Sequence, residues 1–383
     1  MSGATVILVS KGVQDIYITN DDSSTGSLFK LRYTRHTNFA QTPKFLSFIG
    51  QAPQPGATSV ITLDNQGDLV NGMWLYGGTG SQSVISGINS PPGLIGCLPG
   101  TVFELWIGGQ MIDSHTYDYL ADIWAVYLAE NATKQSHVNN FMVSNSTFPL
   151  NIDYTFFPLH FFFCDNDMFL PLISIKYQSV EIRIKWGPYI DQCVGPIKAY
   201  ANFIYLDTKE REEFTRPMDL LITQVQRYAS SDNTNIDLIV FNHPVKSIYF
   251  GYPSVGYTST WGFDKLNMMI NGVYLLEDMY AAYFHTVQGY YHSQCGNVQF
   301  GSEVFQSPLM TQYYSYNFCK DSTSYKPTGT CNFSRLDSAV MNIKNPTIYV
   351  ESGKTSLSVF TIYALSYNIL SIHNSTAGIL FAD

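Results

Sequence analysis

The sequence predicts an all-β fold of two consecutive antiparallel β-sandwiches with a few short helices. Three observations lead there. At 383 residues the chain exceeds the ~250–300 over which one hydrophobic core keeps growing, so two cores are expected. Short alternating segments closed by turn residues recur along most of its length. A single dense charge run, Asp207-Thr-Lys-Glu-Arg-Glu-Glu-Phe-Thr-Arg-Pro217, interrupts them near the middle, and the pattern restarts beyond it.

Taken in order, Val60-Ile-Thr-Leu63 leads into the turn Asp64-Asn-Gln-Gly-Asp68, and Val102-Phe-Glu-Leu-Trp-Ile107 stops at Gly108-Gly109. Tyr117 to Leu128 breaks the β pattern: Leu120, Ile123, Trp124, Tyr127 and Leu128 recur at three-to-four spacing, which predicts a short amphipathic helix over a sheet end. Phe156-Phe-Pro-Leu-His-Phe-Phe-Phe-Cys164 reads as a buried strand and its approach, far short of the ~20 residues that span a bilayer. In Val180-Glu-Ile-Arg-Ile-Lys-Trp186 the apolar residues share one face and the charged ones the other, a strand with one wet side. The charge run reads as a solvated linker or short exposed helix over 207–219. After it, Ile222–Tyr228, Ile236–Phe241, Val245–Phe250, Met341–Ile343 and Val359–Tyr367 supply the second set of strands. No internal sequence repeat relates the halves. The expected division is an N-terminal arm over 1–25, first domain 26–206, linker 207–219 and second domain 220–383.

Charged residues are only 13% of the chain, while aromatics reach 15% with 27 Tyr and 25 Phe. So little charge leaves a monomer short of polar cover, which points to surface buried against other subunits. A net charge of −9 without a Lys/Arg cluster argues against direct nucleic-acid binding. The six cysteines form no CxxC and no regular framework, as reduced thiols do; Cys319 with Cys331 is the one pairing that the spacing leaves open. The start, MSGATVILVSKG, lacks the basic segment and long apolar core of a signal peptide and is expected to be retained.

Catalytic chemistry finds little support. The eight histidines are scattered, without HxH or HExxH; His285 and His292 would meet only on paired strands. GxGxxG, GxxxxGK and GxSxG are absent, and the Asp64/Asp68 and Asp165/Asp167 pairs sit in turn sequences where Asp bends the chain. No metal, cofactor or catalytic residue is therefore expected. Four Asn-X-Ser/Thr triplets occur, at Asn131, Asn145, Asn332 and Asn374; Asn131, Asn145 and Asn374 are the candidate N-glycosylation acceptors, with Asn332 expected to be ordered instead.

Several blocks, in order, resemble one family. They are Gly12-Val-Gln-Asp-Ile-Tyr-Ile-Thr19; Arg35-His-Thr-Asn-Phe-Ala40; Gln66-Gly-Asp-Leu-Val70; Val102-Phe-Glu-Leu-Trp-Ile-Gly-Gly-Gln-Met-Ile-Asp113; Leu170-Pro-Leu-Ile-Ser-Ile-Lys-Tyr-Gln178; Tyr205-Leu-Asp-Thr-Lys-Glu-Arg211; Pro327-Thr-Gly-Thr-Cys-Asn-Phe-Ser-Arg-Leu-Asp337; and Tyr363-Ala-Leu-Ser-Tyr-Asn-Ile-Leu370. The set is similar to the major capsid proteins of nucleocytoplasmic large DNA viruses. That resemblance implies two consecutive jelly rolls per chain and a homotrimer whose six rolls make a pseudo-hexagonal capsomer. It also implies an icosahedral shell with minor capsid and penton proteins as further partners, an internal membrane nearby but not spanned, and assembly in the host cytoplasm. Family members are commonly longer, and here 77–100, 129–150 and 285–328 are the candidate outward loops. A minor capsid paralogue, a carbohydrate-binding attachment protein and a cupin-like or glycosidase enzyme are the competing readings; the missing HxH pattern weighs against the last.

Within Tyr325-Lys-Pro-Thr-Gly-Thr-Cys-Asn-Phe-Ser-Arg-Leu-Asp-Ser-Ala339, Pro327 and Gly329 fit positions i+1 and i+3 of a type I turn. A regular strand after it would put Cys331, Phe333, Arg335 and Asp337 on one face, with Arg335 and Asp337 in reach of an ion pair.

Overall fold

The computed structural model describes residues 36–64, 66–80, 94–131, 134, 155–165, 168–232, 234–251, 262–294, 313–346 and 359–382; the expected arm over 1–25 and most of the candidate outward loops lie outside them. The first half contributes β1 (Phe39–Leu46), β2 (Ile49–Gly50), β3 (Thr58–Thr62), β4 (Leu69–Gly80), β5 (Val102–Ile107), β6 (Gln110–Thr116), β7 (Thr155–Leu159), β8 (Val180–Lys185) and β9 (Cys193–Leu206). The second half contributes β10 (Met218–Ser230), β11 (Asn235–Asp237), β12 (Pro244–Gly251), β13 (Lys265–Ile270), β14 (Val273–Tyr280), β15 (Tyr313–Asn317), β16 (Cys331–Asn332), β17 (Ala339–Lys344), β18 (Phe360–His373) and β19 (Thr376–Ile379).

They form four antiparallel sheets. Sheet 1 runs β1-β9-β4-β7 and sheet 2 runs β2-β3-β8-β5-β6; sheet 3 runs β10-β18-β12-β15, with β16 on β12 and β19 on β18, and sheet 4 runs β11-β17-β13-β14. Setting aside the short β2, β16 and β19, each half has the same connectivity: its first, last, third and sixth strands make one sheet, and its second, seventh, fourth and fifth make the other. That is the jelly roll, present twice. A repeat invisible in the residues is plain in the strand order.

The local reading holds where one face is wet. In β8, Val180, Ile182 and Ile184 are buried, while Glu181 and Arg183 pair at 2.9 Å on the outer face and Arg183 lies 4.1 Å over the Trp106 ring. Trp186, just past the strand, is buried and donates to Ser59 Oγ at 2.7 Å. The charge run forms a short exposed helix, Thr208–Glu213, whose first backbone N–H is accepted by the Asp207 carboxylate. Arg211 ties it back to the first roll through Asp68 at 2.6 Å.

Within sheet 3, β12, β15 and β18 are buried on both faces while the edge strand β10 is mostly half-exposed, and this buried part is what joins the rolls. Along β18, Phe360, Ile362 and Ala364 point into the second roll's own core, whereas Tyr363 and Leu365 join the core of the first. Tyr249 and Tyr313 do the same from β12 and β15. Over that outer face lies the segment Tyr119–Leu128, wound as a π-helix instead of the expected amphipathic α-helix. It is buried around most of its circumference, because it is sandwiched between two domains rather than laid on a surface. Its Tyr127 hydroxyl donates to the Tyr313 carbonyl at 2.8 Å, and its ring stands 5.7 Å from Tyr249.

Polar contacts fix the register of this joint. Asp113 on β6 accepts the β10 backbone N–H of Val225 at 3.0 Å through one oxygen and contacts His115 at 2.8 Å through the other. Thr116 and the Tyr363 hydroxyl share a hydrogen bond of 2.7 Å, and Gln224 donates to the Ile112 carbonyl. The same helix carries Asp118 and Asp122 into the joint. Burial, reinforced by the charge of Asp118, pushes the Asp122 carboxyl up to about 8; burial also raises Asp118, partly offset by Arg227.

The segment from Tyr325 departs from expectation. Instead of a hydrogen-bonded turn over Lys326–Gly329, the chain bends at Tyr325–Lys326 and runs extended beside Phe318–Asp321, held by Thr328, whose hydroxyl accepts from the Asp321 backbone at 3.1 Å. Gly329 is needed for a different reason: its φ is 144°, and a Cβ there would sit 2.9 Å from the Phe318 carbonyl oxygen. The expected strand stops after Asn332, whose side chain accepts from Ser334 N at 3.1 Å and starts a 3-10 turn over Phe333–Arg335. That turn rotates Arg335 off the face of Asp337, and no ion pair joins them among the described residues; both are exposed. Cys319 and Cys331 are not bridged to each other; both are free thiols, as are Cys164 and Cys193.

Two outcomes follow. With Asp122 protonated in the fold up to about pH 8 but ionised above about pH 4 when unfolded, the folded state holds the extra proton, so stability declines as pH rises through that window. Asp122→Asn removes this loss: its melting temperature relative to wild type should climb between pH 5 and pH 8, and a pH-independent offset would contradict the assignment. Gly329→Ala should cost about 1–3 kcal/mol in chemical denaturation; an unchanged midpoint would show that the backbone there is not constrained.

Candidate functional site

The described residues hold no group of three or more His, Cys, Asp or Glu side chains able to bind a metal. An open cleft of about 560 Å³ is lined by Asp264, Lys265, Asp278, Tyr280 and Lys344. Its charges cancel: both lysines reach Asp278, whose carboxyl is held below its usual range first by Lys344. His285 and His292 lie on one helical segment after β14, not on paired strands. Burial drives His285 down to about 4, and His292 faces the Cys319 carbonyl at 2.8 Å. His160 is stacked on Trp124 and held neutral by burial of its ring. These are packing histidines.

The residues singled out from sequence do not converge. Asn131 is exposed after the π-helix and accepts from Lys134 N at 2.8 Å. Asn145 lies outside the described residues. Asn374 and Ser375 take left-handed φ values of 52° and 59° to make the two-residue turn between β18 and β19, closed by Thr376 donating to the His373 carbonyl. Asn332 caps its turn as above, and Ser334 and Phe333 clamp the left-handed His243, whose φ is 65°. Pro327, Gly329, Arg335 and Asp337 belong to the same structural clip rather than to a reactive cluster.

What remains distinctive is surface. Sheet 1 turns an aromatic face outward: Phe45, Trp74 and Tyr76 surround Tyr200 at ring distances of 5.8, 6.0 and 6.2 Å. All sit at the outward alternate positions, their neighbours Leu46, Met73, Leu75, Ala199 and Ala201 being buried in the core. At the other end of the chain, β14 and the helical segment after it expose Tyr274, Tyr280 (63%), Tyr290 (81%) and Tyr291 (70%). Exposed aromatic clusters of this kind are candidate interaction surfaces. The sequence announced the aromatics but not their faces. The signal was there at Trp74, Tyr76 and Tyr200, where an outward strand position carries a ring instead of a polar group.

Comparison with known proteins agrees with the double roll. The family model described as the N-terminus of the major capsid protein matches residues 27–207, and the model described as the large eukaryotic DNA virus major capsid protein matches 210–378. The major capsid proteins of Pyramimonas orientalis virus and Paramecium bursaria Chlorella virus 1 are 27% and 24% identical, each alignment covering 100% of both chains. Among solved structures, a chain of the PBCV-1 virus capsid superposes with a TM-score of 0.76 at 22% identity, covering 93% of this chain and 100% of that one. The Faustovirus major capsid protein superposes at 0.67 with 11% identity, covering 95% of each. These relatives are structural proteins of virus shells and not enzymes. With both halves matched in order, and with the strand connectivity repeated in each, this chain belongs to the major capsid protein family of large eukaryotic DNA viruses.

Proposed function

We propose that the chain is the subunit of a homotrimeric capsomer, pseudo-hexagonal because three chains supply six rolls, and that these capsomers tile an icosahedral shell. The observation that carries this is the internal joint: one chain already packs two rolls of identical connectivity side by side through a buried, aromatic-rich interface. A shell subunit requires such self-complementary sides. The low charge and high Tyr/Phe content suit extensive burial between copies. In this reading the rolls occupy 26–206 and 220–383, joined by 207–219, and residues 1–25 form an inner arm that ties neighbouring capsomers together. Minor capsid and penton proteins complete the shell around a nearby internal membrane, with assembly in the host cytoplasm. No helix among the described residues is long and apolar enough to cross that membrane.

Purified protein should sediment at three times the 43.1 kDa chain mass; a monomer at micromolar concentration would sink the trimer reading. Removal of residues 1–25 should leave that trimer intact while reducing shell formation seen by electron microscopy, and loss of soluble folded protein would count against the arm.

A further inference from the structure

The joint inside the chain is directional. The covering side comes from the first roll: the end of its fifth strand, β6, and the helix that follows. The covered side is the outer face of the second roll's sheet 3. Both sides have counterparts elsewhere in the molecule. The counterpart of the covered face is sheet 1, where Trp74 on the third strand stands opposite Tyr200 on the last. In sheet 3, Tyr249 and Tyr363 stand opposite each other on the same two strands. The pair in sheet 3 is buried beneath the neighbouring roll, whereas the pair in sheet 1 is only half-buried, with Phe45 exposed beside it.

The counterpart of the covering side is β14 and the segment Tyr283–His292. Thr116 closes β6 opposite the first residue of β5, and Tyr280 closes β14 opposite the first residue of β13. Thr116 reaches Tyr363 within the chain, while Tyr280, followed by Tyr290 and Tyr291, reaches into solvent.

We propose that the outer face of sheet 1, centred on Phe45, Trp74 and Tyr200, seats the end of β14 and the following helix of a second copy of this chain, through Tyr280, Tyr290 and Tyr291. The contact repeats between chains the joint that already exists between rolls. It rests on the trimer reading and deepens it by assigning the two faces. Because the faces differ, the contact is head to tail, and a ring of three closes with no face left over. What these six aromatic side chains still expose amounts to roughly 600–750 Å², an aromatic centre for an interface that the flanking strand and helix enlarge.

The test uses two full-length double variants, Phe45→Lys with Tyr200→Lys on one face and Tyr280→Lys with Tyr290→Lys on the other. The same charge on both prevents a compensating ion pair. Each alone should lose the trimer and sediment as a monomer with unchanged circular dichroism; mixed, they should form a 1:1 dimer through their one intact pair of faces, and no trimer. Folded variants that remain trimeric, or a mixture no heavier than its components, would overturn the assignment. A monomeric wild type would instead defeat the trimer reading beneath it. A variant that does not fold is replaced by hydroxyl-radical footprinting of the wild-type assembly. There, Trp74, Tyr200, Tyr280 and Tyr290 should be protected in the trimer and reactive after dilution to monomer. Equal reactivity in both states would refute the interface, and protection of Trp74 and Tyr200 in the monomer would assign their face to the chain's own residues 1–35.

Discussion

The central strands of sheet 3 must bury both of their faces, and most of the molecule is arranged around that constraint. A strand such as β18 is therefore buried at nearly every position, Tyr363 and Leu365 toward one roll, Ile362 and Ala364 toward the other. Burying so many tyrosines costs less where their hydroxyls find partners. Tyr363 has Thr116, Tyr127 has the Tyr313 carbonyl, and Tyr367 has the Tyr325 carbonyl at 3.1 Å. Apolar area supplies the adhesion, while these directional bonds select one register among the many that a greasy sheet face would accept.

The same joint accepts electrostatic cost. Asp113 sits in the seam with one carboxyl oxygen accepting the β10 backbone N–H and the other against His115. Asp122 has weaker compensation, and burial pushes its carboxyl up to about 8, so that it holds its proton.

Legibility in the sequence tracked how local the cause was. The wet-sided β8 was readable because alternation depends only on its own residues, and the exposed helix after Asp207 because capping and charge are local as well. The path Tyr119–Leu128 was readable as helical but not as a buried π-turn, since what surrounds it comes from a domain far along the chain. The clip at Asn332 misled for a related reason: Phe333 and Ser334 answer to His243, some ninety residues earlier, and not to the strand period. The repeat itself lives in strand connectivity, which tolerates complete divergence of residues so long as the inward positions stay apolar. Candidate surface residues such as Tyr200 and Tyr280 were visible as aromatics, but their exposure depends on sheet pairing that the sequence does not spell out.

The short helical crossing after Leu206 connects β9 to β10 over only eleven intervening residues, Asp207 to Pro217. It converts one association step into a folding step. Two rolls on a short tether meet at an effective concentration in the millimolar range, far above any cellular concentration of separate subunits. In the proposed trimer a ring of six rolls then needs two association steps between chains where six separate rolls would need five, and half of its seams are complete before the first encounter. Partial rings, the usual kinetic traps of closed assemblies, are correspondingly fewer.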